Sequence, residues 1–294
     1  MVSVKSFFFT KGLFYRSACT AFYDLEQDNG VQIFGAYRPG CAISVIPAGG
    51  VLLSQEAAAG CTCSYPIRCS LAMVRKPDRP QPWTVYVTPG KLSPVKRFTI
   101  NLGAPADRKD DEGTVWFGYP NPKTSSYTHF PNYGVKFDLR AETLPSMGYF
   151  CRDFRDVSIA NTDKPWLFTS GCRGLLRCEV PLTDGSSGLG GASYTVRLGF
   201  NALPGEKAGR RVFDIKLQNK VVLEGFDIME TAGRADRAVV KEFKGIEARE
   251  SLALELVPKS SDPRANQAPI INFIEVIRED AGNVAAASGR NARW

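Results

Sequence analysis

The stretch SYTVRLGF (Ser193–Phe200) decides the fold of this chain, and its pattern recurs in RVFDIKLQ (Arg211–Gln218) and SLALELV (Ser251–Val257). In the first stretch, every second side chain is large and apolar: Tyr194, Val196, Leu198 and Phe200. This alternation is typical of a strand with one face buried and the other exposed. It therefore predicts an all-β fold of antiparallel strands. Because no catalytic constellation lies on these strands, it favours a β-sandwich binding module over an enzyme.

The composition is that of an ordinary globular protein. The chain has 294 residues, enough for one large or two modest domains. Its net charge of +7 is spread along the sequence rather than gathered in one basic stripe, and no nucleic-acid-binding motif occurs. We therefore expect no nucleic-acid partner.

The sequence predicts no membrane span, because its apolar runs fall short of the ~18 residues that such a helix needs. The N-terminus, MVSVKSFFFTKGLFYRSA, has a short apolar patch that Lys5 and Lys11 interrupt. A secretory signal peptide needs an unbroken apolar stretch of roughly 7–15 residues. This segment does not qualify, which leaves two interpretations: a cytoplasmic protein, or the tail of a longer precursor.

Eight cysteines favour the second interpretation. Their even number and their density between positions 41 and 69 predict disulfides in an oxidising compartment. Buried free thiols are the next alternative. We expect no metal site, because the pairs Cys61/Cys63 and Cys172/Cys178 lack the usual zinc-ligand spacing and His129 is the only histidine. The eight positions are Cys19, Cys41, Cys61, Cys63, Cys69, Cys151, Cys172 and Cys178.

The composition changes along the chain in a way that predicts two units and a tail. Residues 1–95 read as short strands cut by turn signals such as Gly49-Gly50. KPDRPQP (Lys76–Pro82) is rich in proline and places the connection within Lys76–Lys96. Residues 96–280 are again rich in predicted strands. Residues 281–294 lack periodicity and are predicted to be a disordered tail.

Residues 96–280 resemble the malectin-like carbohydrate-binding domain. The resemblance is most specific in YTVRLGF (194–200), VFDIKLQNKVVL (212–223), FDI (226–228) and APIINFIEVIRE (268–279). It extends more weakly to INLGAPADRKDDEGTVWFGYP (100–120) and NYGVKF (132–137). It implies a jelly-roll-like β-sandwich that binds an oligo- or polysaccharide without a cofactor and without metal-dependent chemistry.

Residues 1–95 resemble the last part of a quinoprotein-like β-propeller, of the kind that precedes such domains in large bacterial surface or periplasmic proteins. The motifs are RSACTAFYDLEQDNG (16–30), FGAYRPGCAISVIPAGGVLL (34–53) and GCTCSYPIRCSLAMV (60–74). A propeller needs at least four blades of ~40–50 residues, which this segment is too short to supply. The resemblance implies upstream propeller blades in a longer chain and an internal start at Met1.

The malectin resemblance also implies a sugar site of aromatic residues and an aspartate on loops at one end of the sandwich. Matched by local motif, the tyrosine of the family's DYG-type turn falls on Tyr133. The aspartate before the last strand falls on Asp262, with Asn266 as the alternative. The family's adjacent aromatic pair falls on Leu203-Pro204-Gly205, and another tyrosine position falls near Cys172-Arg173. This chain has no aromatic residue at either of these last two places.

Three aromatic residues, Tyr119, Tyr127 and Phe130, are candidates for substitute stacking surfaces. A pyranose ring presents an apolar C–H face that aromatic rings cover, and its hydroxyls need polar partners. The alternative is that these residues pack over the end of the sandwich, as amphipathic tyrosines often do.

The residues that suggest catalysis have simpler interpretations. Asp214 lies on a strand and Asp227 beside a turn, which favours hydrogen bonds that stabilise the fold over acid–base chemistry. His129 has no accompanying GxSxG elbow, and the glycine-rich run Gly185–Gly191 leads into a strand rather than the helix of a phosphate loop. A quinone cofactor needs a complete propeller. We therefore predict no catalytic residues and no cofactor.

The leading hypothesis is a non-catalytic glycan-binding module of a larger extracytoplasmic protein, in the periplasm or at the cell surface. The alternatives are a structural module that braces a propeller without binding sugar, and an accessory part of a quinoprotein-type oxidoreductase. The candidate sugar-binding residues are Tyr119, Tyr127, Tyr133, Asp262 and Asn266.

Overall fold

The structure, a computed structural model, describes residues 7–9, 12–17, 19–26, 31–34, 45–55, 70–74, 83, 95–120, 139–182 and 191–280. Among these residues, no helix is long and apolar enough to cross a membrane. The candidate residues Tyr127, Phe130 and Tyr133 lie outside them, as do His129 and the predicted tail, residues 281–294.

The chain divides into two compact units. One comprises Met1–Thr88, Ala106–Lys109 and Pro122–Val135, and the other comprises Pro89–Pro105, Asp110–Asn121 and Lys136–Trp294. Strands dominate the described part of both, so the predicted all-β class is confirmed.

The first unit contains two small antiparallel sheets in which neighbouring strands follow chain order. One consists of β1 (Phe7–Phe9), β2 (Gly12–Ser17), β3 (Cys19–Asp24) and β4 (Val31–Phe34). The other consists of β5 (Ile46–Ala48), β6 (Val51–Ser54) and β7 (Leu71–Val74). Gly49 and Gly50 join β5 to β6 with φ angles of 57° and 78°, which confirms the predicted turn. Two successive positive φ angles suit a tight hairpin, and glycine adopts them without a Cβ clash.

The second unit is a sandwich of two sheets, which we call the front and back sheets. Within this unit the front sheet has the strand order β16-β13-β19-β8-β10, and only the β8–β10 pair among the described pairings is parallel. Its strands are β8 (Arg97–Leu102), β10 (Val115–Tyr119), β13 (Ala192–Phe200), β16 (Val239–Ala248) and β19 (Phe273–Arg278), while β9 (Arg108–Lys109) belongs to the first unit.

The back sheet is antiparallel and has the order β11-β12-β17-β14-β15, with β18 also paired to β12. Two short helices lie between strands: a 3-10 helix at Pro165–Leu167 and α1 at Ile228–Ala232. The strands are β11 (Arg140–Cys151), β12 (Ser170–Pro181), β14 (Val212–Leu217), β15 (Lys220–Asp227), β17 (Ser251–Pro258) and β18 (Ile270–Ile271).

The alternation read from the sequence matches the burial of these strands. β14 and β17 bury every second side chain, at Phe213, Ile215 and Leu217 and at Leu252, Leu254 and Leu256. The two sheets meet in an aromatic contact: the Phe200 ring lies 6.1 Å from that of Phe213 and 4.9 Å from that of Phe226. Burying such side chains removes apolar area from water and is the main force that holds the layers together.

The prediction of an exposed second face is wrong for β13. Gly199 and Thr195 on that face are buried, because β13 lies inside the front sheet and other groups cover its outer side. At Gly199 the cover is the Phe273 ring, which would lie 2.0 Å from a Cβ atom placed there. The rings of Trp116 and Phe168 pack edge-on against Phe273, at 5.1 Å and 5.5 Å.

The cysteines whose side chains the structure describes are free thiols: Cys151, Cys172 and Cys178. Cys172 and Cys178 lie on one strand, β12, and burial raises the pKa of each thiol to about 12. Residues six positions apart on a strand are separated by up to ~20 Å, whereas a disulfide needs Cα atoms within ~7 Å. The disulfide prediction is therefore wrong for these three residues. Cys172 and Cys178 are buried free thiols, which is the alternative interpretation. The side chains of the other five lie outside the described residues.

Candidate functional site

Five connecting segments meet at one end of the sandwich, which we call the loop end. The strand register places them there, since Phe200 lies opposite Val239 in the front sheet and Cys151 opposite Ser170 in the back sheet. The segments are residues 103–107, 152–169, 201–211, 228–238 and 259–269. Asp262 and Asn266 belong to the last of them.

Arg211 joins two of these loops. Its side chain is buried and binds Glu206 through two hydrogen bonds, of 3.2 Å from Nε and 2.5 Å from Nη2. Nη2 also donates to the backbone carbonyl of Ala265 at 3.2 Å. A guanidinium shared between a carboxylate and a carbonyl holds both loops in one arrangement. The loop that carries Asp262 and Asn266 is therefore fixed to loop 201–211.

The structure places Asp262 and Asn266 on the exposed surface of loop 259–269. Between them, Arg264 accepts backbone hydrogen bonds from Gln267 and Ala268, at 2.8 and 2.9 Å, which close a turn. The loop thus presents a carboxylate and an amide to solvent from a backbone that is held internally. These groups suit the hydroxyls of a sugar.

The two positions where an aromatic residue is missing also lie at this end. Leu203 is half-buried, and its carbonyl accepts a hydrogen bond from the Glu206 amide at 3.2 Å in a tight turn, with Pro204 and Gly205 exposed. Arg173 lies opposite Ile270 in the β12–β18 pair, directly after loop 259–269. Neither position offers a ring for a pyranose to stack on.

Tyr119 lies at the end of β10 and is half-buried. Its hydroxyl donates to the carbonyl of Leu139 at 3.1 Å, and its ring packs edge-on against Tyr149 with centroids 5.6 Å apart. Burial, together with the thiols of Cys172 and Cys178 and the Tyr119 hydroxyl, raises the pKa of Tyr149 above its ordinary value. These contacts agree with the alternative in which Tyr119 packs over the end of the sandwich instead of stacking on a sugar.

Residues 152–169 form a strap between β11 and β12. One part is bound to loop 228–238: the Ala160 amide donates to the Asp236 carbonyl at 2.9 Å, and Arg152 donates to the Asp236 carboxylate at 2.6 Å. Another part is bound to the front sheet, where Lys164 lies 2.9 Å from the Asp110 carboxylate. The strap is thus held at two places, and its Trp166 ring also packs edge-on against Trp116, with centroids 6.2 Å apart.

A buried set of amide side chains lies beneath the strap. The carbonyl of Phe168 accepts hydrogen bonds from Asn201 and Asn272, both at 3.2 Å. Asn201 also donates to the Asp236 carboxylate at 3.2 Å, and Ser170 donates to the Asn101 side chain at 3.0 Å. The set ties the strap to strand ends of both sheets. Sequence reasoning missed it, because its hydrogen bonds join residues up to 104 positions apart.

The Asp110–Lys164 pair combines burial with several hydrogen bonds. Burial alone favours the neutral carboxyl, but donation from Trp116, Lys164 and the Thr114 amide outweighs it and holds the pKa of Asp110 below its ordinary value. Asp110 is therefore ionised at neutral pH and is matched by a cation from the strap.

Asp214 and Asp227 both make hydrogen bonds within the fold. Asp214 accepts hydrogen bonds from the Gly225 amide at 2.7 Å and from Lys259 at 2.8 Å. Asp227 is the N-cap of α1 and accepts from the amides of Met229 and Glu230, while its other oxygen accepts from the Gly209 amide at 2.5 Å. The interpretation of both as fold-stabilising residues is confirmed.

An open cavity of about 690 Å³ lies at the opposite end of the sandwich, beside the β14–β15 and β16–β17 turns. Its lining has no aromatic side chain, so it offers no stacking surface to a pyranose. Within the described part of the chain, no group of three or more His, Cys, Asp or Glu side chains is placed to hold a metal ion. The cavity is lined by Gly191, Gln218, Glu247, Ala248, Arg249, Glu250 and Ser251.

Comparison with solved structures finds partial similarities. A β-glucuronidase 2 from Bacteroides uniformis matches with a TM-score of 0.45 and 14% identity, over 88% of this chain and 27% of its own. The ANXUR2 extracellular domain from Arabidopsis thaliana matches with a TM-score of 0.39 and 17% identity, over 62% of this chain and 41% of its own. The plant receptor-like kinase FER matches with a TM-score of 0.39 and 18% identity, over 61% of this chain and 41% of its own. This chain thus spans less than half the length of each.

A search of curated proteins finds no match. The malectin domain family matches residues 96–267, which is more than half of the chain and includes the strands of the sandwich up to β17. Residues 1–95 lie outside this match, so their resemblance to a quinoprotein-like β-propeller stays a prediction. The length and position of the match lead to one conclusion: the chain belongs to the malectin domain family.

Proposed function

We propose that residues 96–280 form a non-catalytic glycan-binding module of an extracytoplasmic protein, with the site at the loop end. The observation that carries this proposal is the exposed pair Asp262 and Asn266 on a loop that Arg211 fixes to its neighbour, within a malectin domain. A preformed loop loses little conformational entropy when it binds, so its polar groups contribute more fully to affinity.

In this site the carboxylate of Asp262 accepts hydrogen bonds from sugar hydroxyls, and the amide of Asn266 both donates and accepts. Tyr133 and Tyr127 are the proposed stacking residues and belong to the segment outside the described residues. Tyr119 takes part through its ring alone, since its hydroxyl is bound to Leu139.

The test is a glycan-array screen of the full chain, followed by titration of the best ligand. We expect saturable binding that Asp262→Ala or Tyr133→Ala weakens about tenfold or more, because each removes a direct contact. Asp111→Ala is the matched control, since Asp111 is an exposed aspartate before β10, at the opposite end. Equal effects of Asp262→Ala and Asp111→Ala, or full binding by Tyr133→Ala, would contradict the placement of the site.

A second candidate function is a module that braces residues 1–95 and binds no sugar. Two observations favour it: the missing aromatic residues at Leu203-Pro204-Gly205, and the engagement of Tyr119 in internal contacts. Hydrogen exchange on the full chain separates the candidates. If the sandwich is a brace, a variant that destabilises it, such as Asp227→Ala, will also speed exchange in β1–β7. An accessory role in a quinoprotein-type oxidoreductase rests on the propeller resemblance alone.

A further inference from the structure

The two ends of the sandwich differ in charge. The five segments of the loop end carry ten Lys and Arg residues against eight Asp and Glu residues, and the excess lies in loops 201–211, 228–238 and 259–269, which carry seven against four. The described segments at the opposite end, residues 95–96, 110–114, 218–219, 249–250 and 279–280, carry two Lys and Arg residues against six Asp and Glu residues, of which Asp110 and Glu112 pair with Lys164 of the strap. Such a separation creates a field that draws anions toward one end of the domain and repels them from the other.

In these three loops, most of the positive charges have no acidic partner among the residues that the structure describes. Five exposed cations make no ion pair with any residue that the structure describes: Lys207, Arg210, Arg234, Arg237 and Arg264. The acids of the same loops are partly used up, because Glu206 pairs with Arg211 and Asp236 pairs with Arg152. Glu230 and Asp262 are the two that remain exposed.

The three loops that carry these cations are bound to one another. The Asp236 amide donates to the Ala202 carbonyl at 3.0 Å, which joins loops 228–238 and 201–211. The Arg211 side chain joins loops 201–211 and 259–269 through the Ala265 carbonyl. The residues at these junctions are direct neighbours of Arg210, Arg237 and Arg264. The backbone segments that carry the exposed cations are therefore joined to one another.

We propose that the exposed surface of these three loops selects an anionic polysaccharide, with carboxylate groups of uronic acid residues as the recognised feature. Four of the five cations are arginines, whose planar guanidinium binds a carboxylate through two parallel hydrogen bonds. Asp262 and Asn266 lie on the same surface and contact the hydroxyls of the same sugar chain. The inference rests on the proposed function and adds the ligand class to it.

The probe is alginate, a polyuronate, with methyl-esterified alginate as a neutral ligand of the same backbone. The full chain is titrated with each at two salt concentrations. We expect binding to alginate that weakens as salt rises, and at least about tenfold weaker binding to the ester. The variant pair is Arg210→Gln with Arg264→Gln, which should weaken alginate binding about tenfold or more. Arg210 and Arg264 are exposed, as are the two residues of the control pair described next, so native folding is expected of both variants and is checked by circular dichroism.

The control pair, Lys220→Gln with Arg249→Gln, removes the same charge from the opposite end. It should change the affinity less than about twofold, because screening at 0.15 M salt limits exposed charges to a range of about 8 Å. Equal losses in both pairs would overturn the inference, since attraction would then depend on net charge alone. A larger loss in the control pair would also overturn it by placing the ligand at the cavity beside Arg249. Binding to neutral glucans but not to alginate would refute the ligand class and leave the proposed function standing, whereas binding to no glycan would refute both.

Discussion

The close contact between Gly199 and Phe273 makes Gly199→Ala the sharpest test of how the outer face of the front sheet is packed. A Cβ atom at Gly199 would lie 2.0 Å from one atom of the Phe273 ring and 2.1 Å from another. The ring has little freedom to move, because Trp116 and Phe168 pack edge-on against it. Adding a methyl group to such a site forces side chains away from their preferred rotamers and costs about 1–3 kcal/mol.

For a domain of this size, each kcal/mol lowers the melting temperature by about 2–4 °C, so we expect a decrease of roughly 2–12 °C. The assays are thermal unfolding, for the melting temperature, and urea unfolding, for the free energy, of the full chain, both followed by tryptophan fluorescence and near-UV circular dichroism, since Trp116 lies in the perturbed cluster. Phe273→Leu makes room at the same place and should cost on the order of 1 kcal/mol by itself. The double variant should lose less stability than the sum of the two single variants, by about 0.5–3 kcal/mol.

Gly191→Ala is the matched control. A Cβ atom at Gly191 would lie 3.0 Å from the Cγ atom of Arg249, which is exposed and can move aside. Its effect should stay within about 0.5 kcal/mol. If Gly199→Ala were as harmless as this control, or if Phe273→Leu did not relieve it, the Phe273 ring would not pack over Gly199 as described.

Three further predictions concern stability and are checked by urea unfolding. Asp227→Ala should cost about 2–4 kcal/mol, because the α1 cap and the Gly209 contact are both lost, whereas Asp227→Asn keeps the cap acceptor and should cost less. The pKa of Asp110 is lowered on folding, so its stabilisation is present above about pH 4 and lost in more acidic solution, and the gap in stability between the wild type and Asp110→Asn should narrow there. Folding raises the pKa of Cys172 and Cys178 from 9.0 to about 12, so stability should fall as pH rises through that window, and fall less in the Cys172→Ala, Cys178→Ala double variant.

The parts of the fold that follow from local rules could be predicted from the sequence. Alternation in β14 and β17 specifies which side chains are buried, because successive residues of a strand point to opposite faces. The Gly49-Gly50 turn and the roles of Asp214 and Asp227 likewise depend on near neighbours along the chain or on a single hairpin. In each case part of the structure is local to the pattern, although Asp214 also binds Lys259 and Asp227 also binds Gly209 farther along the chain.

The strap could not be predicted in this way. Residues 152–169 have no periodic pattern, and their place depends on contacts such as Arg152 with Asp236, 84 positions away. The burial of Gly199 depends on the Phe273 ring of β19, a strand far along the chain, so the alternation in β13 could not predict it. The count of cysteines also misled, because an even number carries no information about distance, and Cys172 and Cys178 share one strand.

The residues that stabilise the sandwich differ from those that stabilise the loop end, and this difference matters for function. The apolar alternation in β13, β14 and β17 holds the layers together, whereas the exposed loops are held by their own bonds, such as those of Arg211 and Asp227. Residues on the outer surface of those loops therefore change at little cost in stability. Leu203-Pro204-Gly205 can therefore replace the aromatic pair that the malectin resemblance implies, and the loops can carry additional arginines, without loss of the fold. On the proposed function, this chain keeps the malectin scaffold and exchanges stacking contacts for charge.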